Sequence, residues 1–300
     1  MLAIAYRKPT VEPDHALHMQ LADFNRTRLS PAIANANWQA ELREKARMEL
    51  IEGDFIEGER TAIERQLTGI PTDANRFVQW FANLIETGPG QGDPLFPWLA
   101  EQATYDQVRW FLTQEVAGEA GFEDLTALTQ IKMPDRVKLE MAANYWDEMG
   151  RGNAAGMHGP MLRRLAEAFS VAPIPESTVW EALALGNLMA GLAANRRYAY
   201  QSIGALGVIE LTAPGRAIYV AQALRRLGIN GKARLYFELH ATLDVRHSAA
   251  WNREVIHPLI AADPTLAAPI AEGALLRLRA GARCFERYRA EFAVDMRDAA

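Results

Sequence analysis

The sequence predicts an all-α protein, and three observations carry that prediction. Apolar residues recur at spacings of three and four from about residue 75 onward. No period-two run with hairpin turn chemistry appears anywhere. The strongest breakers, such as the Gly88-Pro89-Gly90-Gln91-Gly92-Asp93-Pro94 stretch, fall between periodic segments rather than inside strands.

Residues 1–75 are cut by Pro9, Pro13, Pro31 and Pro71 into short pieces. Within them 36–52 and 58–68 are expected to be helical and highly charged, and we read 1–74 as an N-terminal helical extension packed on a main domain, 75–300. His15 and His18 stand three apart there; their polar flanks favour solvated side chains over a shared metal. Phe77, Trp80, Phe81, Leu84 and Ile85 then follow the i, i+3, i+4, i+7, i+8 pattern of a helix with one buried face. A long helix is expected over 104–130 and another over 134–149, with Pro134 suited to a first turn. Further helices fit 157–170, 177–205, 213–226, 232–256 and 265–294.

The 300 residues are 49% hydrophobic and 23% charged, enough chain for a sizeable core. A net charge of −5 without a basic block speaks against nucleic-acid binding. The single cysteine, Cys284, excludes an intramolecular disulfide and a thiolate cluster. The N-terminal apolar run is too short for a signal peptide and no uninterrupted apolar run approaches membrane-spanning length, so the expected setting is soluble and cytoplasmic.

The candidate site lies where ionisable residues interrupt core faces. In 235–251, His240, Asp244 and His247 are four and three apart and fall within roughly 40–60° of one another on one helix face. On the 104–130 segment, Val108, Leu112, Glu115, Glu119 and Phe122 form one stripe, so both carboxylates face with the apolar residues. Val137, Met141, Tyr145 and Glu148 form the next stripe. His158 follows ten residues after Glu148. On an unbroken helix the two would be ~15 Å apart, but Gly150, Gly152 and Gly156 allow a break that returns the histidine. Glu210 sits among small apolar residues before Pro214, either as a helix-end carboxylate facing water or as an inward ligand. Glu254 and His257 share a Glu-x-x-His spacing, but Pro258 is expected to end the helix there, so the pair is set aside. Arg151, Arg196 and Arg197 could receive a substrate carboxylate, with solvent-facing salt bridges as the competing role.

A carboxylate-rich, imidazole-containing set without cysteine suits iron or manganese, and two ions better than one. Zinc fits less well, because its sites need fewer ligands. Taken with their spacing, three elements resemble the haem-oxygenase-like di-iron oxidases, the iron-containing redox enzymes. They are Asn144-Tyr-Trp-Asp-Glu148-Met-Gly-Arg-Gly with His158, Glu210 mid-chain, and His240-x3-Asp244-x2-His247, and the resemblance spans about residues 75–295.

The resemblance implies a haem-oxygenase-like bundle of about seven helices. It implies two Fe2+ ions held by Glu148, His158, Glu210, His240, Asp244 and His247, completed by Glu115 or Glu119, with Glu115 preferred. It also implies an O2-dependent oxidation of a small amine, amino-acid derivative or fatty acid, by N-oxygenation, desaturation or C–C cleavage. The competing reading is a metal-free or haem-binding protein of the same fold. The partners expected are a small-molecule substrate, an external electron donor such as a reductase or ferredoxin, and a second copy in a homodimer, with no nucleic acid and no membrane.

Overall fold

The computed structural model describes residues 13–118, 121–172 and 174–296; among them there is no strand. The N-terminal helices are α1 (Pro13–Leu29) and α2 (Trp38–Ile63). The bundle continues with α3 (Ala74–Thr87), α4 (Leu95–Glu101), α5 (Tyr105–Gly118), α6 (Phe122–Thr129), α7 (Asp135–Glu148) and α8 (His158–Ala168). It ends with α9 (Trp180–Ala194), α10 (Ala199–Arg226), α11 (Gly231–Trp251), α12 (His257–Ala262) and α13 (Ala267–Phe292).

Local chemistry explains several of these boundaries. Asp73 caps α3 by accepting from the Arg76 N–H at 2.9 Å, and Phe77, Phe81 and Leu84 then bury one face. Each such apolar side chain contributes roughly 1.5–3 kcal/mol by leaving water. Asn230 caps α11 in the same way through the Ala233 N–H. α10 is the central helix, buried over most of its length and packed against α3, α4, α9, α11 and α13. With the turn before it, the segment Arg196–Arg226 is long and apolar enough to cross a membrane, but most of its apolar stretch is buried inside the bundle.

α10 and α13 cross in backbone contact. A Cβ on Gly204 would collide with the Ile270 carbonyl oxygen, and one on Gly273 with that of Gln201. Beside this crossing, Gly207 leaves room for the Trp251 ring, whose N–H donates to the Ile203 carbonyl at 3.2 Å.

The helix limits depart from the sequence expectation in four places. The helix expected over 104–130 is two, because Gly121 adopts a left-handed conformation (φ 93°) and restarts the chain as α6. The helix expected over 177–205 breaks at Asn195, whose extended backbone (φ −97°, ψ 113°) ends α9 and whose side chain accepts from the Arg197 N–H. Pro214, expected near a start, lies inside α10, so Glu210 is mid-helix. Pro258 does not end the helical path either. A π turn over Asn252–Ile256 widens it, and Pro258 falls in the first turn of α12. In addition, α2 runs unbroken through the gap left between 36–52 and 58–68.

α1 packs on α9, and α2 on α13 and α9. The Arg28 guanidinium pairs with Glu52 at 2.6 Å in a buried bridge. His18, expected to be solvated, is only 3% exposed, stacked on Trp180 and edge-on to Phe55. Burial first, then the Arg283 charge, pushes its pKa down to about 4, against the opposing pull of Asp14 and Glu59. His15 instead meets the Thr178 carbonyl at 3.1 Å.

Two measurements follow from this packing. Gly273→Ala should lower stability by roughly 3 kcal/mol in urea unfolding, since neither backbone can retreat. Gly53→Ala, a helical position with open space around it, should be neutral or slightly stabilising. Because the folded pKa of His18 is below its unfolded value of 6.5, the unfolded chain binds the extra proton between them. Stability is therefore level above pH 6.5 and falls as pH drops toward about 4, by on the order of 2–3 kcal/mol. His18→Phe keeps the aromatic packing and should flatten that part of the pH profile; an unchanged profile would refute the assignment.

Candidate metal centre

Glu148 ends α7, only 3% exposed. The chain then reverses through two short 3-10 turns, Gly150–Gly152 and Ala154–Gly156. Gly150, Arg151 and Gly152 all carry positive φ (61°, 53° and 84°). A Cβ on Gly150 would stand 2.7 Å from the Met157 nitrogen, so the two arms of the loop touch and only glycine fits. The reversal starts α8 at His158, whose Nδ1 contacts Glu148 Oε2 directly. The glycine break allowed in the sequence therefore does return the histidine to the glutamate.

Glu210 reaches the same place from the middle of α10, 2% exposed, with Asn144 Nδ2 donating to its Oε1 at 2.6 Å. His247 comes from α11 and places Nδ1 3.4 Å from Glu210 Oε2. Its Nε2 meets Asp147 Oδ2 at 3.1 Å. His240, nearly two turns earlier on α11, bonds its Nδ1 to the Tyr236 carbonyl at 2.6 Å. That bond fixes the tautomer and turns Nε2 toward the site, where the His240 and His158 rings lie 4.5 Å apart.

Two groups of ligand-type atoms result, each gathered within 4.8 Å: Glu148 with His158 and His240, and Glu148 with Glu210 and His247. Glu148 belongs to both. Of the other sequence candidates, Glu119 lies outside the described residues, as does the side chain of Asp244, whose backbone is in α11 between the two histidines. Glu115 joins neither group. It lines the adjoining cavity and accepts from the Tyr288 hydroxyl. Glu254 and His257 stand apart, paired with Arg136 and Asn75 respectively.

Three neighbours of the site were given no role by the sequence reading. Asp147 orients His247 and is itself held by Arg151 at 2.6 Å; the Arg151 hydrogen bond keeps its carboxyl below the usual carboxylate range. Asn144 holds Glu210. Glu123, on α6, lines the cavity, and its Oε1 lies 3.3 Å from where a Cβ on Gly159 would stand.

Electrostatics favour a cation here. Burial, with the nearby Glu210 charge adding to it, pushes the Glu148 carboxyl up to about 8. Two buried carboxylates within ligand reach cannot both ionise cheaply without positive charge between them, and a bound cation lowers that cost. The donor set fits iron: carboxylate oxygens and imidazole nitrogens, no thiolate, from α7, α8, α10 and α11. Beside these groups opens a cavity of about 420 Å3, largely apolar, with Phe111, Phe122 and Phe285 among its walls.

The family model of the iron-containing redox enzymes matches residues 109–282, which include every helix that supplies a ligand-type residue. The chain belongs to that family. Its all-α, haem-oxygenase-like fold is shared with a solved CADD-like protein of unknown function from Nostoc punctiforme, 16% identical, with a TM-score of 0.54 over 82% of this chain and 100% of that one. Comparison with curated proteins finds no match. The family's redox role carries with it iron, and the two groups around Glu148 are candidate places for it.

The role given to Asp147 can be measured. Asp147→Asn should weaken Fe(II) binding by roughly 10- to 100-fold in an anaerobic titration while leaving the circular dichroism spectrum unchanged.

Proposed function

We propose that the protein is a non-haem di-iron oxidase that uses O2 to oxidise a small molecule. The single observation that carries the reading is Glu148, a buried carboxylate common to two separate groups of ligand-type residues. A lone catalytic zinc needs three protein ligands and a haem needs an axial histidine, so neither accounts for two such groups around one carboxylate.

In this reading Glu148, shared by both groups, would hold iron together with His158 and His240 in one group and with Glu210 and His247 in the other, and Asp244, on the intervening turn of α11, would be a further ligand. Iron bound by such oxygen and imidazole ligands would supply the redox chemistry for O2 activation. The chain's own residues position and shield. Asp147 and the Tyr236 carbonyl hold the two α11 imidazoles in their tautomers. Asn144 holds Glu210 against rotation. The aromatic walls of the cavity exclude water and keep a substrate beside Glu148 and His158. An external donor supplies the electrons needed between turnovers.

Anaerobic addition of Fe(II) to the full chain should give close to two irons per chain, followed by O2 consumption on exposure to air. Glu148→Ala should lose both irons, whereas His247→Ala should retain close to one. Retention of full iron by Glu148→Ala, or a Soret band on haem addition that one histidine substitution abolishes, would overturn the reading.

A further inference from the structure

The cavity next to the candidate metal groups is polarised. Its ligand-type wall comes from α7, α8, α10 and α11. The wall from α5 and α13 contributes no member of either group, but it carries Arg277. That arginine also lines a smaller adjoining pocket with Glu115, Leu185 and Tyr288, which contains no member of either metal group. Its Nε is buried and has no hydrogen-bond partner. The nearby carboxylate Glu115 already accepts from Tyr288.

Room for the guanidinium is built into α13. A Cβ on Gly281, one turn further along, would stand 2.8 Å from Arg277 Nη1 and 3.7 Å from the Phe285 ring. From α10, the Arg216 guanidinium lies over the Phe285 ring, 5.6 Å from its centroid. Arg277 and Arg216 thus both stand near Phe285 in the chamber. The third arginine of the cavity, Arg163, stands instead beside Glu123 near Gly159.

A buried guanidinium donor without an acceptor is costly, and a planar carboxylate is the ligand group that best satisfies it. We propose that the cavity binds a small molecule with an apolar body and a carboxylate head, and that Arg277, with Arg216 beside it, holds the carboxylate at the wall away from Glu148. The apolar body then lies along Phe111, Val116, Leu162 and Val220, with its far end toward His158. Arg277 is a binding and specificity residue in this arrangement. Which end of the substrate reacts rests on the proposed di-iron reading; the carboxylate anchor does not.

Calorimetric titration of the full chain, both iron-free and Fe(II)-loaded under anaerobic conditions, tests this with octanoate, octanol, octylamine and phenylalanine. Octanoate should bind at least about tenfold more tightly than octanol, with octylamine weakest. Arg277→Met should weaken octanoate at least about tenfold and leave octanol unchanged, and Arg277→Lys should recover part of the loss. If phenylalanine binds more tightly than octanoate and is equally sensitive to Arg277→Met, the carboxylate carrier is an amino acid and the proposal stands. It is overturned if octanol or octylamine matches octanoate, if Arg277→Met leaves octanoate binding unchanged or weakens octanol equally, or if no carboxylate binds. Iron uptake should be normal in both arginine variants. Loss of the two-iron stoichiometry in wild type, with carboxylate selectivity intact, would instead count against the di-iron reading alone.

Discussion

Burying Glu148 beside Glu210 is the constraint around which the site is arranged. Both are under 4% exposed, and burial together with the Glu210 charge raises the cost of ionising Glu148. A fold tolerates such a pair only if every surrounding polar group helps, because half-satisfied buried networks cost more than apolar packing. Here Asn144 donates to Glu210, His158 touches Glu148, and His247 spans from Glu210 to Asp147. The arrangement has the character of a metal cradle more than of a stabilising core network, and membership of the iron-containing redox enzymes agrees with that.

The cradle depends on irregular backbone at three places. The left-handed residues at 150–152 fold His158 back onto the end of α7. Pro214 cannot donate to the Glu210 carbonyl, so α10 lacks one of its own hydrogen bonds beside the buried carboxylate. The π turn after α11 re-aims the chain once His240 and His247 have been delivered. Regular helices supply the faces, and these three departures bring the faces together.

How much of this was legible follows from the range of each interaction. His240 and His247 share a helix face by spacing alone, and local periodicity was enough to bring both forward as candidates. The return of His158 was readable as permitted, since three glycines in seven residues disfavour a continuous helix. Asp147 was missed because it lies roughly 100° around α7 from the apolar stripe, where a carboxylate looks solvated. Its partner His247 is 100 residues away in sequence, beyond the reach of any local pattern. His18 was misread for the same reason: Trp180 and Arg283, which cover it and shift it, come from distant helices. Glu123 was hidden because the single helix expected over 104–130 breaks at Gly121, so a stripe extrapolated along it does not give the face that α6 presents.

The close backbone approach at Gly204 and Gly273 has a consequence for how this protein would answer a mutational survey. Both positions refuse any side chain, although neither lines the cavity nor belongs to either ligand group. Scored by activity alone, substitutions there would look as damaging as substitutions of Glu148 or His247. A functional map drawn that way would place a false second centre at the crossing of α10 and α13. Abundance of folded protein separates the two classes, since loss of a proposed metal ligand is expected to spare the fold and a bulky residue at the crossing is not.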